Sequence, residues 1–171
     1  MSDIKIRQAD VSDAESLVEI YSYYVLNTAV SFENEVPSVD EFRKRIEKTI
    51  SSYPYLVCRI GDKVVGYAYA GEYSSRAAYA WTATLSVYLD KDHRRQGIGT
   101  MLYKELEKRL KDMGIVNLLA GVAYISEEDE YLSHDSYLFH QEQGYSEVAH
   151  MKSIGRKFGR WYDLIWMQKR I

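Results

Sequence analysis

The chain has 171 residues but only one cysteine and two prolines, and no apolar run in it approaches the ~18 residues that a membrane-spanning helix needs. One thiol cannot close an internal disulfide, so nothing points to an oxidising compartment. That thiol, Cys58, sits inside the apolar run YLVCRI and reads as a small buried hydrophobe on a strand rather than a nucleophile. The N-terminal MSDIKIRQAD lacks the apolar core of a secretion signal. The expected location is therefore the cytoplasm, away from membranes. A dominant charge is also missing: 22 Lys and Arg against 25 Asp and Glu leave a net −3, which gives no global pull toward nucleic acid or an anionic surface. The basic-aromatic stretch KSIGRKFGRWY at 152–162 is where a nucleic-acid reading would rest, and its dispersed pattern and the net charge argue against one. No internal repeat, linker or low-complexity block breaks the chain, so residues 1–171 are expected to form one domain.

Tyrosine is abundant, with 16 copies, and suits half-buried strands and interfaces. The rest follows a regular alternation. IKIRQ alternates as a first strand. Asp10 or Ser12 can cap the next helix, whose Leu17, Ile20, Tyr21, Tyr24 and Val25 share one face. Ser38-Val39-Asp40-Glu41 is a capping-box pattern opening a second helix through Phe42, Ile46 and Ile50, closed off before Pro54. YLVCRI and KVVGYAYAGEY read as a hairpin across Gly61-Asp62. YAWTATLSVYL (79–89) reads as a long strand. The helix after it carries Met101, Leu102, Leu106, Leu110 and Met113 as an apolar stripe, with Gly114 as its stop. IVNLLAGVAY (115–124) is nearly all apolar and is expected to be covered on both faces. An acidic connection, a short helix at 136–143 and strands at 145–154 and 160–170 complete the order β-α-α-β-β-β-α-β-α-β-β. The expected fold class is α+β: a mixed, mostly antiparallel sheet with one parallel strand pair and helices on both sides.

The chemistry concentrates in DHRRQGIGT, residues 92–100, at the corner from the long strand into its helix. A helix amino terminus presents unpaired N–H groups and partial positive charge, so it favours an anion. Gly97 and Gly99 permit positive φ and remove side chains that would keep a phosphate from the backbone, and Arg94 and Arg95 add charge. The pattern is neither a GxxxxGK[ST] loop nor a GxGxxG fingerprint. In this setting it resembles the R/Q-x-x-G-x-G/A loop of the Gcn5-related N-acetyltransferase (GNAT) superfamily. Ordered matches along nearly the whole chain are similar to its phosphinothricin N-acetyltransferase branch: Ser31-Phe32 to Ser38, Tyr53 to Val57, Gly66 to Gly71, Arg76 to Thr82, Ser86 to Leu89, Leu138 to Tyr145 and Gly159 to Asp163.

The resemblance implies an acetyl-CoA-dependent transferase acting directly on the amine of a small amino-acid-like substrate, without a covalent enzyme intermediate or a metal, in a homodimer built on the aromatic C-terminal strands. It implies that Arg94, Arg95, Gln96, Gly97, Ile98, Gly99 and Thr100 hold the diphosphate. Val87, Tyr88 and Leu89 offer backbone to the pantetheine arm, with the Val87 N–H as oxyanion donor, and the parallel strands splay to admit the thioester. Ser136 keeps its place in the family's N-x-x-S pattern, while Ser133 replaces the asparagine. On the substrate side stand Phe32, Trp81, Arg76 as a partner for a carboxylate, and Glu72. Tyr145 is a candidate acid for the departing thiolate or a packing tyrosine, and His140 a candidate base or a packing residue. The branch usually carries W-[ST]-x-E on the long strand, and here the same stretch reads Trp81-Thr82-Ala83-Thr84. Thr84 thus stands where a general base is expected. Deprotonating an alkyl ammonium of pKa ~10 near neutral pH costs about 4 kcal/mol, and a hydroxyl is a poor base for it. Glu127 to Glu130, in the acidic connection, are expected in solvent or at the substrate pocket. A non-catalytic acyl-CoA-binding module is the alternative that Thr84 raises.

Overall fold

The computed structural model describes residues 3–171; Met1 and Ser2 lie outside the described residues. The first strand, β1 (Ile4–Gln8), leads into a short 3-10 turn at Val11–Asp13 and then α1 (Ala14–Asn27). Of the two capping candidates Asp10 acts: its carboxylate accepts from the Ser12 N–H, while Asp13 accepts from the Asp10 N–H. α1 buries Leu17, Ile20, Tyr21, Tyr24 and Val25, the face its periodicity requires. α2 (Val39–Ile50) is capped by Ser38, which accepts from the Glu41 N–H at 3.1 Å. The reciprocal half of the capping box gives way to an ion pair, because the Glu41 carboxylate turns toward Arg45.

β2 (Tyr55–Ile60) and β3 (Lys63–Glu72) form the hairpin across Gly61-Asp62, with Gly61 at a positive φ of 59°. Cys58 is fully buried there, and burial pushes its thiol up, as suits an inert core position. β4 (Thr82–Leu89) is shorter than its alternating stretch. Residues Ala77–Tyr79 close a 3-10 turn instead, and the Trp81 carbonyl accepts from the N–H groups of Val116 and Asn117. α3 (Ile98–Asp112) buries Leu102, Leu106 and Leu110, but Met113 at its carboxyl end is exposed, so the apolar stripe ends one turn early. Gly114 then turns at φ +87° while Ile115 N–H reaches back to the Leu110 carbonyl, satisfying the helix end.

β5 (Asn117–Tyr124) corrects the expectation of two covered faces. Leu118, Ala120 and Val122 are buried in the core that α3 and α4 cover, whereas Leu119 is only half-buried and Gly121 is exposed. α4 (Asp135–Glu142) follows, and β6 (Ser146–Lys157) and β7 (Arg160–Arg170) make a long final hairpin. In the acidic connection Asp129 is not left to solvent: it accepts from the Tyr162 hydroxyl and from the N–H groups of Tyr131 and Leu132, and pairs with Arg160.

The seven strands order as β1-β2-β3-β4-β5-β7-β6, every pair antiparallel except β4 and β5. One face is covered by α3 and α4 over a core of Leu85, Ile98, Leu102, Leu106, Leu118 and Ile165. The other is covered by α1 and α2 over a tyrosine-rich core. There Tyr55 and Tyr69 stack at 4.9 Å, Tyr67 and Tyr88 at 5.5 Å, and Tyr21 meets Tyr88 edge-on at 5.0 Å. Such pairs add roughly 0.5–1.5 kcal/mol each beyond the area they bury. Seven of the 16 tyrosines thus pack this one face of the sheet.

Candidate active site

The parallel pair is brief. Thr82, Ala83 and Thr84 lie beside Asn117, Leu118 and Leu119, and beyond that point the two strands pair no further with each other. The gap leaves an edge of β4 open. Because the Trp81 carbonyl points to β5 while the Asp90 N–H points to the Val65 carbonyl of β3, strand alternation aims the backbone of Val87 and Leu89 into the gap. The Leu89 carbonyl there takes the Tyr24 hydroxyl. Tyr88 aims its own N–H and C=O the other way, toward Tyr67, and its ring is core. A narrow cavity of about 40 Å³ occupies the cleft, bounded by Ser86, Val87, Gly121, Val122, Ser136 and His140.

At the mouth of the cleft the chain turns into α3 through two left-handed residues, Arg95 at φ 59° and Gly97 at φ 80°. Alternating left-handed residues curl successive N–H groups to one side and make a concave anion site. A side chain at Gly97 would meet nothing within 4 Å, so the glycine serves no packing need; its left-handed backbone and the space around it suit a ligand. Gly99 differs. A Cβ there would lie 3.1 Å from the Phe139 ring, so this glycine lets α4 press against α3. Arg95 reaches Asp135, at the start of α4, with both donors of one nitrogen at 3.0 and 3.1 Å, and Arg94 lies over the Tyr23 ring. Gln96 bonds the Asp92 carbonyl, Ile98 is buried, and the Thr100 hydroxyl accepts from Gln143. The left-handed loop, the free amides of α3 and the open β4 edge fit a diphosphate joined to an extended arm that ends in the cleft.

Residues 6–166 match the family described as the acetyltransferase (GNAT) domain. The L-amino acid N-acyltransferase MnaT of Escherichia coli K12 is 32% identical over 98% of this chain and 94% of its own. A phosphinothricin N-acetyltransferase of Alcaligenes faecalis is 33% identical over 96% and 81%. The crystal structure of a GNAT superfamily phosphinothricin acetyltransferase from Sinorhizobium meliloti in complex with AcCoA superposes with a TM-score of 0.89 at 32% identity, covering 100% of this chain and 89% of that one. The chain belongs to the GNAT acetyltransferase family.

Membership carries the activity, transfer of acetyl from acetyl-CoA to an amine. Inside this GNAT cleft, His140 is 5% exposed. Its Nδ1 lies 2.7 Å from the Ser136 carbonyl, which can only accept, so Nδ1 carries the proton. Nε2 is then the acceptor, and the Tyr103 hydroxyl donates to it at 2.8 Å. Burial lowers the imidazole pKa to about 4, so His140 is neutral at physiological pH with its lone pair engaged. Tyr103, on α3, borders the same cavity, and no sequence signal separated it from the helix's packing residues. Tyr145 is not brought to the cleft. Its hydroxyl donates to Glu107, which also holds Lys169, and burial pushes its pKa far up.

The acceptor-side candidates divide. Thr84 shares a sheet face with Gly71, its cross-strand partner, and its hydroxyl points to the Gly71 carbonyl at 3.4 Å. Glu72 and Trp81 belong to the opposite face by alternation, and both are exposed at their strand ends. Neither stands beside Thr84. Arg76 is exposed at the start of the 3-10 turn. The Phe32 ring lies close over Gly155 of β6, where a Cβ would come within 2.6 Å of it. A wider cavity of about 550 Å³ opens on the α2 side, walled by Tyr55, Tyr67 and Tyr69 and reaching Gly71 and Glu72, with Arg45 and Lys48 also in its wall. Among the described residues no helix is long and apolar enough to cross a membrane.

Proposed function

We propose that this GNAT enzyme acetylates the primary amine of a small amino-acid-like molecule that enters from the α1–α2 side of the sheet. The observation that carries this reading is the junction of the left-handed Arg95–Gly97 loop with the open β4 edge, which sets a donor arm on one side of the sheet and leaves Thr84 and Gly71 facing the other. The printed activities of the relatives support the acceptor class: phosphinothricin, L-amino acids, and L-methionine sulfoximine or sulfone.

Bound acetyl-CoA supplies an activated acetyl thioester. The backbone amides of residues 96–100 hold the diphosphate, with Arg94 and Arg95 adding charge. Val87 and Leu89 bond the arm as a neighbouring strand would. The Val87 N–H donates to the carbonyl oxygen as negative charge gathers on it. Ser136 and the Tyr103–His140 pair line the sulfur end of the cleft. Phe32 flanks the acceptor, Arg76 meets its carboxylate, and Thr84 orients the amine or a water.

The active form is a homodimer in the cytoplasm. The edge strand β6 exposes Val148, Met151 and Ile154, an apolar row suited to a second copy, and the single buried thiol suits a reducing compartment. Calorimetric titration with acetyl-CoA, followed by thiol release across a panel of amino-acid-like amines, tests the activity; binding without release from any amine would leave an acyl-CoA-binding module instead. Met151→Lys should convert the dimer to a monomer by light scattering. A wild-type monomer at micromolar concentration would contradict the assembly.

A further inference from the structure

Resting on the reading that this chain acetylates a small amino-acid-like amine, we infer that the wide cavity under α2 receives the acceptor's side chain. The side chain it fits ends in an oxyanion, a carboxylate or a phosphoryl group, held by Lys48 and the hydroxyls of Tyr55 and Tyr67. The cavity holds about 550 Å³, within the ~300–1,000 Å³ common for small-molecule sites. It shares no wall residue with the narrow cleft. The two meet across one pair of strands: Tyr69 lines the cavity, and Ser86, opposite it on β4, bounds the cleft. Gly71 and Thr84 are the next pair on the same face. An amine held at this junction has the cavity open to its side chain.

Tyr55, Tyr67 and Tyr69 alternate onto one face of the β2–β3 hairpin and form the cavity's floor. Their rings stack face to face at 4.9, 6.0 and 6.3 Å, so the floor shows the cavity ring edges and hydroxyls. Tyr55 is 2% exposed and Tyr67 1%, yet among the described residues neither hydroxyl has a hydrogen-bond partner. Neither is sealed in: the fully buried polar side-chain atoms without a partner are Arg59 Nε and His93 Nδ1, and both lie outside the cavity wall. Buried hydroxyls are nearly always bonded, so two left free on a cavity wall mark a place for a ligand's oxygens. Burial pushes both phenols well above their ordinary pKa, so each keeps its proton and is a donor.

Charge is divided along the wall. From α2 come two cations, Arg45 and Lys48. Arg45 is committed, its terminal nitrogens holding Glu33 at 2.6 and 3.0 Å, though its charge still acts on the Tyr55 and Tyr69 hydroxyls. Lys48 Nζ has no partner among the described residues, which leaves all its donors free. The one carboxylate in the wall is Glu72, at the end of β3 next to Gly71, where its charge acts on Tyr53. It too has no ion-pair partner among the described residues. Glu72 therefore draws an ammonium to the Gly71 end and repels an anion from it, and Lys48 draws an anion to the α2 end. A neutral or apolar side chain would leave Lys48 and two phenol donors without an anionic partner; an oxyanion takes all three in charge-assisted bonds.

The test pairs acids with neutral amides of the same shape, by thiol release near neutral pH in low salt: L-glutamate with L-glutamine, and L-α-aminoadipate with its side-chain amide. The phosphonate analogue of L-glutamate is the phosphoryl arm, and whether it or the carboxylates lead tells which oxyanion the cavity holds. The acids should lead their amides in kcat/KM by ~10-fold or more. Lys48→Met keeps the length of the side chain and removes its charge, and Lys48 is exposed, so the fold is not at stake. It should shrink that lead several-fold, mainly by raising KM for the acids, at unchanged acetyl-CoA affinity. Tyr67→Phe deletes an unpartnered hydroxyl and should act in the same direction. Acids no faster than their amides in wild type, or a lead that survives both substitutions, would overturn the inference and leave the acetyltransferase reading standing. Thiol release from no amine in the wider panel, with acetyl-CoA bound, would overturn both.

Discussion

The donor corner and the acceptor face are built from different materials. At the corner between β4 and α3, the proposed donor site is built of backbone: two left-handed residues, the free amides of a helix end and an open strand edge. On the proposed acceptor face it is built of side chains, Thr84 and Phe32 among them. Backbone geometry constrains sequence strongly, because only a few residue types tolerate positive φ. Side-chain surfaces constrain it weakly, because many sets of residues fill the same sheet face. The corner therefore keeps the pattern that the resemblance leads one to expect, whereas Thr84 stands where the same resemblance leads one to expect a carboxylate.

The largest expected effect separates two glycines within the corner itself. Gly97→Val places a β-branched residue at φ +80°, a strain of ~1–3 kcal/mol, and puts methyl groups where the anion would sit. Nothing in the fold meets its Cβ. Acetyl-CoA affinity should fall by more than ~100-fold, with the melting temperature reporting only the backbone strain. Gly99→Val drives its side chain into Phe139 and should lower stability by ~1–3 kcal/mol through overpacking, with a smaller loss of affinity. Calorimetric binding and thermal melts on both variants decide the matter; the same loss of affinity at the same melting temperature would erase the distinction.

His140 lies between the two regions and has a pH signature. Its folded pKa of about 4 lies below the ordinary 6.5. Between those values the unfolded chain binds a proton that the folded chain refuses. Stability is therefore full above about 6.5 and falls as pH drops through the window, by roughly 3 kcal/mol in all. Carboxylates with lowered pKa, such as Asp13 and Asp90, act at lower pH and do not mimic it. Urea unfolding at pH 7 and pH 4.5 should show most of the loss in wild type and little of it in His140→Gln. A parallel decline in that variant would mean that the imidazole is not the titrating group.

Much of this layout was legible in the sequence because it follows local rules. The helix faces at Leu17–Val25 and Leu102–Leu110, the Gly61-Asp62 hairpin and the strand–glycine–helix corner each follow from spacing that one element dictates. The misreadings arose where tertiary partners decide. Met113 keeps the helical period but lies past the last turn that α3 buries. The apolar run of β5 gave no sign that α1 and α2, on the other side of the sheet, stop short of Leu119 and Gly121. Tyr103 and Tyr145 are alike as letters, yet one hydroxyl meets His140 in the cleft and the other Glu107 outside it. Gly99 matched a phosphate motif whose second requirement, room for Phe139, belongs to a helix forty residues away.

The smallest expected effect probes the acceptor side alone. Gly155 lies under the Phe32 ring, and an added Cβ would come within 2.6 Å of that ring's edge. Phe32 is partly exposed, so its ring can swing aside and Gly155→Ala should cost under ~1 kcal/mol of stability. The swing displaces the aromatic group proposed to flank the acceptor while leaving Gly97, Val87 and the β4 edge untouched. The expected outcome is a several-fold change in acceptor KM with unchanged acetyl-CoA affinity. Phe32→Ala should give a change of the same kind and larger, since it removes the ring instead of moving it. An altered acetyl-CoA affinity in Gly155→Ala would show that the two regions communicate through the β6–β7 hairpin, and an unchanged acceptor KM in both variants would remove Phe32 from the acceptor site.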